Sequence, residues 1–429
     1  MTDNEKIMIA GCAAGAAAAA VPAVYGFVKA TARQPITDKD FLRTENGSFI
    51  SECGAITCLK GINLNDDFFW FKKDDLDESS GTEDVFAALE SRFGRYGTRQ
   101  LAKKYHEGLI SASDIKKIAK LGANCVRIPL RSRFLLSKDN CKGDIDFERL
   151  DFLIEKCKKA GLYVILDLHS APGFQNTDSA CRKGEQSVLF GASKDGFEAR
   201  NATVRLWTQI AAHYKDEPAI AAYDLLNRPL NRMADWEDKL DTLHKFYRRL
   251  IKAIRTVDEK HTIILEAAGS PDTLPLPEKI NDSNIAYGLY SHFHTTYEIS
   301  ALLNSIHKFG GNGIPFVVCK LRAEENLASS LEAMNDNGIS WLTGDFKGSG
   351  LKAAFLYGGN VPEADLVADS YEQIGEKWAK PLATKNFTEN KEITAALKSA
   401  FKYGNIRIEK PEKKPQFKVK LGSKLIYGK

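Results

Sequence analysis

No two of the eight cysteines, at positions 12, 53, 58, 125, 141, 157, 181 and 319, have the Cys-x-x-Cys spacing of a structural zinc site, and no other cofactor signature takes its place. Charge of one sign is also scarce: 60 basic residues nearly balance 56 acidic ones, leaving +4 over 429 residues. With no basic stripe interleaved with aromatics, the balance argues against a nucleic-acid partner. No internal repeat is visible, and the one biased tract is an alanine-rich start. What remains, 43% hydrophobic and 27% charged, is ordinary globular material, enough for one large α/β barrel with additions or for two smaller domains. Cys53 and Cys58 could bridge in an oxidising compartment, or stay as two thiols on adjacent strands of a hairpin.

Residues Ile7 to Val28 carry no charge, and their length suits a membrane span. Three readings compete: a retained anchor over residues 1–34, a signal peptide cut near Ala30-Thr31-Ala32, or a buried helix. The anchor is preferred, because Thr2-Asp3-Asn4-Glu5-Lys6 is not the basic start of a signal peptide. Gly11, Gly15 and Ala19 give the small-x-x-x-small step that lets helices approach in lipid. Lys6 alone precedes the segment, whereas Lys29, Arg33, Lys39 and Arg43 follow it, which places the large domain in the cytosol or mitochondrial matrix. Asn-x-Ser/Thr sequons at Asn46, Asn201, Asn281 and Asn386 point instead to the secretory pathway or the extracellular space.

From Phe49 onward, short β-branched runs alternate with helical periodicity, the pattern of βα units around a parallel sheet. Strands are expected over Ile56–Ile62, Cys125–Pro129, Tyr163–His169, Ala221–Leu226, Thr262–Glu266, Ala286–Ser291, Pro315–Cys319 and Ile339–Thr343. Helices are expected over Ser113–Lys120, Phe147–Ala160, Ala199–Tyr214 and Trp236–Val257. Eight such strands imply a (β/α)8 TIM barrel over residues 45–400, with functional residues at the C-terminal ends of the strands. Residues 401–429 read as a basic tail containing Lys410-Pro411-Glu412-Lys413-Lys414-Pro415 and an alternating segment from Gln416 to Leu421, able to add a strand to a partner's sheet.

The strand ends Leu59-Lys60-Gly61-Ile62-Asn63-Leu64, Asn124-Cys125-Val126-Arg127-Ile128-Pro129 and Leu166-Asp167-Leu168-His169-Ser170-Ala171-Pro172-Gly173 resemble, in order, those of glycoside hydrolase family 5. The exo-β-1,3-glucanase branch is the nearest likeness, with Phe174-Gln175-Asn176 continuing the third-strand motif. The resemblance implies that Arg127, His169 and Asn227 orient catalytic groups and bind sugar, and that His292 and His294 stand where the family has its sixth-strand histidine and aromatic partner. It also implies that Arg228, in Asn227-Arg228-Pro229, replaces the acid/base glutamate and that Lys320, in Val318-Cys319-Lys320-Leu321, replaces the nucleophile. On the eighth strand Trp341 is kept as an outer tryptophan, while Gly344 falls where a tryptophan would stack on the sugar. A retaining glycosidase needs one protonated and one ionised carboxyl about 5 Å apart, and arginine supplies neither.

The expectation is therefore a non-catalytic barrel: a membrane-anchored structural or accessory subunit of a larger assembly, with protein partners in a membrane complex. Arg127 would then pair with Asp167 or Asp224 as scaffolding, while Arg228 and Lys320 would face solvent or take a carboxylate such as Glu266. One alternative is an anion- or carbohydrate-binding pseudo-glycosidase, whose anion pocket, for a phosphorylated metabolite, would use the two cations and is excluded if both are neutralised by protein carboxylates. Another is a β-glucan hydrolase with relocated carboxylates drawn from Glu266, Glu324, Glu325 and Asp345. The insertion Asp66 to Lys104, opening on Phe68, Phe69, Trp70 and Phe71, fits either sugar subsites or a plug of the barrel mouth.

Overall fold

Eight parallel strands with alternating inward and outward side chains close on one another in the computed structural model, which describes residues 33–64, 71, 82–135, 145–178, 187–293, 295–309, 313–323, 327–348, 353–360, 362–402, 420–421 and 424–425. In chain order they are β4 (Lys60–Asn63), β5 (Cys125–Arg131), β6 (Tyr163–Ser170), β7 (Ile220–Asp224), β8 (Thr262–Glu266), β9 (Ile285–Phe293), β10 (Phe316–Ala323) and β11 (Ser340–Asp345). Each pairs with the next, and β11 pairs with β4 to close the ring, as the sequence predicts. Gly61 is required at the tight β4–β5 contact, since a Cβ there would lie 2.2 Å from the Cys125 carbonyl oxygen.

A short antiparallel sheet precedes the barrel: β1 (Leu42–Glu45), β2 (Ser48–Ser51) and β3 (Ile56–Thr57). The single strand expected over Ile56–Ile62 is thus two. Ile56 pairs back onto Ile50, and the Asn124 side chain bridges the break, donating to the Cys58 carbonyl at 2.7 Å and accepting from the Lys60 amide at 2.7 Å. Leu42 and Phe49 of this sheet pack with Leu59, Cys125, Ile165, Ile264 and Leu342 in one apolar cluster. That cluster fills the end of the barrel at which the strands begin. Cys53 and Cys58 are free thiols. Cys53 lies 3.0 Å from Ser51 Oγ and Cys58 donates to the Gly338 carbonyl.

Outward side chains of the strands, such as Ile62, Val126, Ile128, Val164 and Leu166, join the larger apolar cluster under the helices. The helices are α1 (Thr82–Leu109), α2 (Ala112–Leu121), α3 (Ser132–Leu135), α4 (Glu148–Lys159), α5 (Lys194–Tyr214), α6 (Trp236–Ile254), α7 (Thr296–Phe309), α8 (Leu327–Asp336), α9 (Tyr371–Ala379) and α10 (Lys391–Lys402). Helix α1, inside the expected insertion, bends at Gly94, whose φ is 66°. Helix α10 runs into the stretch assigned to the tail. There Phe401 is fully buried and stacks on Trp341 with ring centroids 5.2 Å apart.

The chain divides after Arg33, and the barrel with its additions belongs to the unit Gln34–Lys429. Residues 1–32 of the expected anchor, residues 66–70 and 72–81 of the insertion, and most of the tail lie outside the described residues. Among the described residues no helix is long and apolar enough to cross a membrane.

Candidate active site

Every strand of the barrel delivers its last inward residues to one end, and here these are mostly charged. Arg127 sits at the centre, buried to 1% exposure. Its Nη1 lies 3.0 Å from Asp167, its Nη2 donates to Asp224 and Glu266 at 2.7 Å each, and its Nε donates to Asp224 at 2.9 Å. Nη1 also reaches Asn63 Oδ1 at 3.3 Å, and Nη2 reaches Asn227 Oδ1 at 3.2 Å. Burial alone would depress the guanidinium, but Asp167, Asp224 and Glu266 overcome it and hold it well above its ordinary value. The reading of Arg127 as scaffolding is the one this geometry supports.

Three buried carboxylates around one cation leave excess negative charge, which the site relieves with a proton. Burial, followed by the neighbouring Asp224, drives the Glu266 carboxyl well above the usual carboxylate range, and burial also raises Asp224. The two share a hydrogen bond. Space for Glu266 exists because residue 288 is glycine: a Cβ there would stand 2.7 Å from Glu266 Cγ and 3.2 Å from Cys319 Sγ. Ligand atoms of Asp224, Glu266 and Cys319 come within 4.8 Å of one another. Arg127 already pairs with two members of that trio, Asp224 and Glu266, and so compensates their charge without a metal ion.

Arg228 and Lys320 each meet a carboxylate. Arg228 Nη1 lies 2.6 Å from Asp178 Oδ2, and its guanidinium carbon stands 3.9 Å above the Tyr290 ring centroid. Glu266, the partner expected from the sequence, instead accepts the Arg228 backbone N–H at 2.8 Å. Lys320 pairs with Asp345 at 3.1 Å. Burial opposes ionisation of Asp345, yet Lys320 and Arg322 hold it below the usual carboxylate range. With both cations neutralised, the anion-pocket alternative fails.

The turn carrying Arg228 is strained. Arg228, Leu230 and Arg232 all have positive φ, at 47°, 63° and 58°, in a region that L side chains other than glycine rarely adopt. Side chains of the third-strand motif hold it there. Gln175 donates to the Asn227 carbonyl at 3.0 Å, Asn176 donates to the Arg228 carbonyl at 2.9 Å, and Asn231 donates to Asp178 at 3.2 Å.

His169 joins the cluster, with Nδ1 2.7 Å from Asp167 Oδ2. His292 is exposed at the end of β9, and His294 lies outside the described residues. Trp341 is not at the mouth. It is fully buried in the outer layer under α10, with its indole N–H donating to Asn335 at 3.0 Å, because its position on β11 points outward. A Cβ on Gly344 would meet nothing within 4 Å among the described residues. Residues that sequence reasoning missed include Asp178, Tyr290 and Asn63. Asn63 was detectable as the terminal polar residue of the first barrel strand, the position from which it reaches Arg127.

The mouth encloses a cavity of about 10 Å³ lined by Asn63, Leu64, Arg127, Pro129, His169, Lys320 and Asp345, room for about one water molecule. Of the proposed relocated carboxylates, Glu266 is buried and Asp345 is paired with Lys320, while Glu324 and Glu325 lie outside the described residues.

Residues 88–387 match the family described as cellulase, glycosyl hydrolase family 5. A β-xylosidase from Phanerodontia chrysosporium is 30% identical over 234 residues, 53% of this chain and 46% of that protein. A probable glucan 1,3-beta-glucosidase A from Aspergillus clavatus is 24% identical over 278 residues, 61% of this chain and 64% of that protein. The chain spans about half the length of the first curated relatives it matches, 46% and 53% of theirs. The crystal structure of endogalactoceramidase superposes with a TM-score of 0.54 at 20% identity, covering 79% of this chain and 84% of that one. Subunit Z of the Clostridioides difficile cellulose synthase does so with a TM-score of 0.51 at 17% identity, covering 80% of this chain and 99% of that one. These likenesses concern the fold.

Proposed function

Since the chain belongs to glycosyl hydrolase family 5, we propose that it is a member that no longer hydrolyses glycosides and acts as a membrane-anchored structural or accessory subunit of a larger assembly. The observation that carries this reading is the pairing of Arg228 with Asp178 and of Lys320 with Asp345. These are the positions where, by family resemblance, an acid/base and a nucleophile would stand, and each is a cation in a local salt bridge. Hydrolysis needs two carboxyls flanking a cleft that admits a sugar. Asp224 and Glu266, two carboxyls close to each other, both pair with Arg127 and are both buried. Arg127, His169 and Asn227 are, in this reading, remnants of sugar binding retained as structure, with His292 and His294 as vestigial rim positions.

The anchored and matrix- or cytosol-facing placement rests on the uncharged stretch from Ile7 to Val28 and the basic residues after it. The domain division into residues 1–34, 45–400 and 401–429 belongs to the same proposal, with α10 assigned to the barrel. Solubilisation in mild detergent, with mass spectrometry of comigrating proteins and assays on aryl β-glucosides, aryl β-xylosides and β-1,3-glucan, tests the reading. Stable partners and no turnover are expected. A purely monomeric protein, or turnover carried by the purified chain, would overturn it.

A further inference from the structure

Beside the barrel mouth, outside the ring of strands, a groove of about 190 Å³ lies between α1, the outer face of β5 and the start of α4. Its floor is aliphatic and buried: Leu109, Ile128, Leu130, Leu150 and Leu153. Among the described residues no tryptophan or tyrosine lines it, and its aromatic rings are those of His106 and Phe134. Its lining holds four basic side chains, Arg99, Lys103, Arg131 and Arg149, against two carboxylates, Asp146 and Glu148.

Two of the four basic groups have a carboxylate partner, and Arg131 meets Glu83, outside the lining, at 3.8 Å. Lys103 is satisfied by Glu148 at 2.7 Å. Arg99 donates to the Phe134 carbonyl at 2.8 Å, and Arg149 donates to the carbonyls of His106 and Ile110. Neither has a carboxylate in ion-pair contact among the described residues, and Arg149 Nε is buried without a hydrogen-bond partner. Burial lowers both guanidinium groups from their ordinary values, and Asp146 near Arg99 and Glu107 near Arg149 offset it only in part. The groove-lining residues of α1 run from Arg99 to Leu109, a length of about 15 Å at the helical rise.

We propose that this groove binds an amphipathic anion, of the class of medium-chain aliphatic carboxylates. The chain would lie on the aliphatic floor and the carboxylate would meet Arg99 and Arg149. Leu64 and Pro129 line both this groove and the mouth cavity, so the site adjoins the old catalytic end without using its residues, and it stands whether or not the barrel is inactive.

Displacement of 8-anilinonaphthalene-1-sulfonate from the full chain by decanoate tests the proposal, with decanol as the uncharged comparison. Decanoate should displace the dye and raise the melting temperature. Arg99→Gln should weaken decanoate roughly tenfold, the loss of one charge-assisted contact, and Ala102→Phe, which fills the groove from α1, should abolish displacement. Should Ala102→Phe fail to fold, the Arg99→Gln comparison still decides. Failure of decanoate to displace the dye, equal competition by decanol, or unchanged affinity in Arg99→Gln would overturn it, including the case in which the chain's own residues occupy the groove.

Discussion

Arg127 governs what its neighbours can do, because one guanidinium serves Asp167, Asp224 and Glu266 at once. The charge deficit falls on Glu266, whose carboxyl burial and Asp224 push well above the usual range. The consequence for stability follows from proton linkage. The folded state holds a proton that the unfolded chain releases near pH ~4.3, so stability falls as pH rises from that point toward the folded-state value. Glu266→Gln mimics the protonated carboxyl and should flatten this decline. Denaturation midpoints at pH 5 and pH 8 should differ less in the variant than in the parent. An unchanged difference would mean that Glu266 is ionised in the fold. The carboxyls held low, Asp345 and Asp258, work in the opposite sense. Their stabilisation is present above the unfolded carboxylate range and is lost as pH falls through their folded values, so they do not confuse the comparison.

At the scale of elements, the turn from Asn227 to Arg232 holds three left-handed residues in place with contacts from the segment after β6. Its strain can be released at one position without losing a charge pair. Arg232 is exposed, and its backbone carbonyl accepts from Thr177 Oγ1 at 2.8 Å. Arg232→Gly should therefore stabilise by about 1 kcal/mol, read as a higher denaturation midpoint, whereas Arg228→Gly would give up the Asp178 and Tyr290 contacts and lose more than it gains. A midpoint lowered by Arg232→Gly would mean that the arginine side chain contributes more than its backbone costs. The strands were legible because β-branched runs ended in polar residues, and seven of the eight occur where that pattern puts them, the first being split into Ile56–Thr57 and Lys60–Asn63. Less legible was α1, whose apolar positions split across the bend at Gly94 into Val85, Phe86 and Leu89 before it and Leu101, Tyr105 and Leu109 after it. The partners of Arg228 and Lys320 were legible only in part. Asp345 follows its own strand, but Asp178 reaches Arg228 from 50 residues away in sequence, and no local pattern announces such a contact.

For the molecule as a whole, the decisive event is closure of the ring where its first and last strands meet. Along β4 and β11 the pairing of Trp341, Leu342 and Thr343 with Lys60, Gly61 and Ile62 is regular, then shifts before Asp345 meets Asn63. At that irregular end the backbone ladder alone is incomplete, and the Asn63 side chain completes it. Its Nδ2 donates to the Thr343 carbonyl at 2.8 Å and the Cys319 carbonyl at 3.0 Å, spanning from β4 across β11 to β10, while its Oδ1 accepts from Arg127. One amide thus links barrel closure to the buried charge cluster. Removing it leaves two buried carbonyls and one guanidinium N–H short of a partner, a loss of roughly 2–3 kcal/mol. Asn63→Ala should therefore lower the denaturation midpoint and also open the seam locally. Amide hydrogen exchange in Ser340–Asp345 and Lys60–Asn63 should quicken by roughly tenfold or more relative to β6 and β7 on the far side of the ring. Equal acceleration everywhere would mean that the barrel opens only as a unit and that the seam has no separate weakness for Asn63 to guard.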